Sequence, residues 1–148
     1  MVGSADGRKE KLGEGIKMSE MVQDKRKEER ETPREKKDFH LRVKLQINTD
    51  EPVLGPGVAE LLELVEETGS MKEACGRMGM SYSKGWKIVN RAENELGYAL
   101  ILRHHGGRSG GSCSLTPESI SLVRRYRALE ERVKKYADTA FQEMFTEL

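Results

Sequence analysis

The chain has 148 residues, 36% hydrophobic and 34% charged, with a formal net charge of +1. That length supports one domain with a hydrophobic core, while the high charge predicts that part of the chain stays outside it. No apolar run approaches the ~18 residues of a membrane span, no apolar signal stretch opens the chain, and two cysteines make no disulfide framework; the expected setting is the cytoplasm, without a membrane partner and with Cys75 and Cys113 reduced.

Residues 1–38 hold 11 Lys/Arg and 10 Asp/Glu and have no apolar face, which predicts a disordered charged tail. The near-cancellation of charge argues against a nucleic-acid-binding arm. Order is expected from Phe39. Residues 41–48 alternate strictly, Leu41, Val43, Leu45 and Ile47 against Arg42, Lys44, Gln46 and Asn48, which predicts a half-buried strand. A loop with Pro52, Gly55, Pro56 and Gly57 follows. The next stretch, VAELLELVEETG, sets Val58, Leu61, Leu62 and Val65 on one helix face and glutamates on the other, with Gly69 as C-terminal cap.

Ser70 and Glu73 have capping-box spacing, each placed to bond the other's backbone N–H, so a second helix starts at once; Gly79 ends it. Ser81 caps a third helix, YSKGWKIVNRAENEL, closed by Gly97. Two short apolar runs, ALILR and SCSL, flank the glycine-rich HHGGRSGGS and read as a β-hairpin. Thr116, Pro117 and Glu118 then open a long helix with a cap, a first-turn proline and a favourably placed acid. The expected class is mainly α with a small β component: an N-terminal strand, three helices, a hairpin and a long C-terminal helix.

The second and third helices, joined by a short turn, form a candidate helix-turn-helix. Such a pair must cross closely, and Cys75 and Gly85 are small residues suited to the crossing. On a helical wheel Tyr82, Trp86, Val89, Ala92 and Leu96 share one face of the third helix. The opposite face holds Ser83, Lys84, Lys87, Asn90, Arg91 and Asn94: three cations, two amides and a hydroxyl, with no acid. A merely solubilising face would mix in glutamates, whereas Arg and Asn pair with base edges in the major groove. The charge distribution agrees: residues 70–127 hold 10 basic and 4 acidic side chains, although the whole chain is almost neutral. A hairpin after a recognition helix is a wing. Its glycines let the backbone approach phosphates closely, and Arg108 at its tip is placed to enter a narrow minor groove.

In the last helix Leu122, Tyr126, Leu129, Val133, Tyr136 and Ala140 repeat at heptad spacing, which predicts a dimer seam. The first two turns are expected to pack on their own domain. The organisation expected is a tail over 1–38, a winged DNA-binding domain over 39–116 and a dimerisation helix over 117–148.

Residues 39–145 resemble the N-terminal winged helix-turn-helix of the ModE-type molybdate-responsive regulators, and more distantly the LysR-type DNA-binding domain. The residues that carry the resemblance are GPGVAELLELVEETGSMKEAC, GMSYSKGWKIVN, GGRSGGS and LTPES, with RAENELGYAL nearer the LysR-type pattern. Cys75 and Gly85 stand where alanine is common in that family. The resemblance implies a homodimer on double-stranded DNA, with Ser81, Tyr82, Ser83, Lys84, Lys87 and Arg91 of the third helix and Arg108 of the wing at the operator. Larger members carry a molybdate-binding domain after the DNA-binding one; with the chain ending at Leu148, none is expected here.

Two other functions fit the residues less well. One is a non-specific architectural DNA binder. The other is a metal or redox sensor using His104, His105 and Cys113, with Cys75 as a further candidate, although their spacing is not that of a structural zinc site. No nucleophile–base set or phosphate-binding loop is present, so neither catalysis nor a cofactor is expected.

Overall fold

A computed structural model describes residues 34–105 and 111–148. The chain divides into two units, Met1–Asp38 and Phe39–Leu148. In the first, residues 34–38 have neither helix nor strand, and the tail expected over 1–38 otherwise lies outside the described residues. The second unit carries the elements β1 (Ile47–Asn48), β2 (Pro52–Leu54), α1 (Pro56–Thr68), α2 (Met71–Arg77), α3 (Tyr82–Leu96), β3 (Ile101–His104), β4 (Ser112–Leu115) and α4 (Pro117–Met144). Among the described residues, four helices with two small antiparallel sheets make the fold mainly α with a small β component.

The helix boundaries follow from local chemistry. Ser70, Ser81 and Thr116 each accept a hydrogen bond from the backbone N–H three residues on, satisfying a donor that the first helical turn leaves free. Gly69 and Gly97 end α1 and α3 in the left-handed region, at φ 66° and 78°, where a side chain would be strained. The reciprocal half of the capping box is not made. The Ser70 N–H bonds the Thr68 hydroxyl at 3.2 Å, and the Glu73 carboxylate turns to Arg77 at 3.1 Å, because a guanidinium offers it a charge-assisted bond.

The strand expected over 41–48 is cut to Ile47–Asn48, which pairs with Pro52–Leu54 through an irregular register. The stretch expected to be only a loop supplies that partner, and its Val53 and Leu54 are buried. A ladder extends only as far as its partner does, and three residues are all this partner offers. Upstream, Leu41 and Leu45 are half-buried while Val43 is exposed. Leu45 is fixed by a backbone bond: its carbonyl accepts from the Tyr126 hydroxyl at 2.9 Å.

The core joins Leu54, Leu61, Leu62, Val65, Ala74, Cys75, Val89, Ala92, Leu100, Val123 and Tyr126. Burial of Tyr126 corrects its expected place in a dimer seam: the first turns of α4 cover α1, and Tyr126 is 1% exposed. Arg127 reinforces that contact, its Nε and Nη2 each lying 2.8 Å from a different oxygen of Glu63 on α1.

Candidate nucleic-acid interface

The crossing of α2 and α3 depends on two small residues. Gly85 is buried in the first turns of α3, and a Cβ built there would lie 2.2 Å from the Cys75 sulfur on α2. No carbon fits so close to a sulfur, so a side chain at 85 would force either the Cys75 thiol or the helix crossing to shift. The turn between them is closed by Gly79 at φ 69° and by the Met80 N–H, which donates to the Cys75 carbonyl at 3.0 Å.

With Gly85, Val89 and Ala92 against the core, the other face of α3 is presented outward. Ser81, Tyr82, Ser83, Lys84, Lys87, Asn90, Arg91 and Asn94 are all exposed. Lys84, Lys87 and Arg91 form no ion pair among the described residues, in contrast to Arg77, which Glu67 and Glu73 hold at 2.9 and 3.1 Å. Tyr82 departs from expectation. It is 55% exposed and sets its ring edge-on to Trp86, with centroids 6.2 Å apart, because it stands at the helix start beyond the reach of the core.

The hairpin forms as expected, with Ile101 opposite Leu115 and His104 opposite Ser112. Glu93, on the inner side of α3, accepts from the backbone N–H groups of Leu100 and Ile101 at 2.8 and 3.2 Å. The stem is thereby tied to α3. The tip that carries Arg108 lies outside the described residues. Beneath the stem, a cleft of about 600 Å³ opens between the starts of α2 and α3 and the hairpin. Lys72, Tyr82, Trp86, Arg103, His104 and His105 line it, and none of the described lining residues is acidic.

Sequence reasoning missed Arg103 and Glu93. The guanidinium carbon of Arg103 lies 3.7 Å from the Trp86 ring centroid, and its Nη2 donates to Asn90 Oδ1 at 3.3 Å. One signal was available: Arg103 has the parity of buried Ile101, so a cation sits where the strand turns inward. Glu93 gave no signal, since its partners are backbone groups seven and eight residues away.

The residues of the sensor alternative do not converge. His104 Nε2 bonds the Ser114 hydroxyl at 2.9 Å, and Cys113 is buried. Among the described residues no three His, Cys, Asp or Glu side chains come together as a metal site. Burial pushes the thiols of Cys75 and Cys113 up, which keeps them protonated and unreactive.

Residues 59–119, spanning α1 to the first turn of α4, match the family described as bacterial regulatory helix-turn-helix protein, lysR family. Curated proteins similar to this chain include the molybdenum transport protein ModE of Herbaspirillum seropedicae, 36% identical over 72 residues, which are 49% of this chain and 27% of that one. ModE of Azotobacter vinelandii is 37% identical over 70 residues, 47% of this chain and 26% of that one. The molybdenum-pterin-binding protein MopB of Rhodobacter capsulatus is 33% identical over 82 residues, 55% of this chain and 30% of that one. The chain thus spans under a third of the length of these relatives. The matched residues contain both α3, with exposed Lys84, Lys87 and Arg91, and the hairpin strands β3 and β4.

Proposed function

We propose that the protein is a sequence-specific DNA-binding transcriptional regulator that acts as a homodimer in the cytoplasm. The observation that carries this reading is the exposed face of α3 with Lys84, Lys87, Asn90 and Arg91, inside the stretch that matches the lysR-family helix-turn-helix. Lys84, Lys87 and Arg91 stand there without ion-pair partners among the described residues, so their charge is available to phosphates and base edges. In this reading α3 enters the major groove. Ser81, Tyr82 and Ser83 meet the backbone at its N-terminal end, Lys84 and Lys87 neutralise phosphate, and Asn90 and Arg91 reach bases. The wing lies on the backbone, with Arg108 in the minor groove. Residues 39–116 form the reading unit, and the helix over 117–148 joins two copies.

The test is a salt titration of the full chain on a selected operator and on a scrambled duplex. Arg91→Ala and Lys87→Ala each weaken binding, and a variant that removes a base contact also relaxes sequence preference, by roughly 1–3 kcal/mol. Arg108→Ala weakens binding on both duplexes and flattens the salt dependence by about one charge. Equal affinity of the wild type for both duplexes overturns the specific reading in favour of an architectural binder.

A further inference from the structure

Arg103 lies on the wing stem, yet its charged head lies on the recognition helix. We propose that Arg103 is a positioning residue for sequence specificity: by holding the Asn90 carbonyl, it makes Asn90 offer its amide N–H₂ to the DNA and select guanine over adenine. The inference rests on the proposed function and refines the role of one residue within it.

The chemistry fixes which amide atom faces the wing. A guanidinium has five donors and no acceptor, so the Asn90 atom 3.3 Å from Nη2 must be the oxygen. The head of Arg103 is held in place as well. Its plane carbon lies 3.7 Å from the Trp86 centroid, and Trp86 packs against the core and takes the edge of Tyr82. The stem beneath is anchored by the Glu93 carboxylate on Leu100 and Ile101, and Arg103 itself pairs with buried Cys113. No carboxylate competes for the guanidinium among the described ion pairs.

A free asparagine favours adenine, because its oxygen accepts from the adenine amino group while its N–H₂ donates to N7. That contact needs both amide atoms turned to one base. With Oδ1 drawn toward the stem by Arg103, its second lone pair does not lie in the plane of the same base as the N–H₂, and the N–H₂ is the group turned to the groove. Guanine shows two adjacent acceptors there, N7 and O6, whereas adenine shows one acceptor beside a donor. A donor-only asparagine therefore prefers guanine. The wing sets specificity in this way at a base that it does not touch.

The experiment selects duplexes from a randomised pool with the full chain and its variants. The base concerned is the one whose preference Asn90→Ala erases. Two variants keep the stem of residue 103 over Trp86, Arg103→Lys with a charged donor and Arg103→Met without one. At that base the wild type and Arg103→Lys prefer guanine, and Arg103→Met moves the preference toward adenine by about tenfold, the order of one base contact. In the Asn90→Ala background, Arg103→Met leaves that base unchanged. Three results overturn the inference alone: a wild-type preference for adenine, no base that depends on Asn90, or an Arg103→Met variant that loses affinity equally on every sequence, which marks a phosphate contact. A wild type with no sequence preference anywhere overturns the proposed function itself.

Discussion

Gly85 and Cys75 show how one residue sets the geometry of a site from behind it. Glycine inside an exposed helix costs about 1 kcal/mol against alanine. Here the helix tolerates that cost because the alternative is a methyl group 2.2 Å from a sulfur. Gly85→Ala is expected to destabilise the domain by roughly 1–3 kcal/mol, the usual range for overpacking. Cys75→Ala removes that sulfur and leaves the Cys75 Cβ 3.9 Å from the new methyl, an ordinary contact. The double variant therefore recovers most of the loss, and the two changes are strongly non-additive. Urea unfolding of the four proteins checks this; additive losses would mean that the two residues do not share one space. Both residues were legible in the sequence as small groups at a helix crossing. Their direct opposition was not, because register between helices is a tertiary fact.

At the scale of elements, caps were legible because each needs only a few neighbouring residues, as at Ser70, Ser81 and Thr116. Partnerships across the fold were not. The alternation over 41–48 reads as strand, yet Ile47–Asn48 alone finds a ladder, because ladder length belongs to the partner. The clamp between α1 and α4 is likewise invisible in sequence, with Glu63 and Arg127 separated by 64 positions. The Arg127 hydrogen bonds hold the Glu63 carboxyl below its ordinary value of 4.5. A depressed carboxylate contributes stability above its unfolded pKa and loses it as pH falls through the folded one. Both side chains are more than a third exposed, so solvent screens the pair, and Glu63→Gln is expected to cost no more than about 1 kcal/mol at pH 7. The gap between wild type and variant stays constant above about pH 5 and closes below 4.5. Denaturant titrations across that range measure it, and a gap that persists in acid would show that the loss is one of packing.

For the whole molecule, the open question is what covers the surface that α4 leaves bare. Leu122 and Tyr126 of the expected seam belong to the domain itself, Leu122 half-buried and Tyr126 in the core. Sequence periodicity could not separate them from the rest, because a heptad stripe looks the same whether it faces its own domain or a second chain. Beyond them Leu129 is 44% exposed and Tyr136 78%, while Val133, between the two, borders a groove shared with Leu41, Val43 and Leu45. An apolar stripe of this kind on a regulator proposed to read two half-sites fits a second copy of the same helix, which would match each stripe to itself. Leu129→Glu with Tyr136→Glu is therefore expected to yield monomers. The thermal stability of the reading unit should change little, since neither side chain is in its core. Operator binding should fall steeply, because a monomer engages one half-site and loses the linked second contact. Sedimentation equilibrium of wild type and variant at micromolar concentration decides this, and a monomeric wild type would remove the dimer from the proposed function while leaving the recognition helix in place.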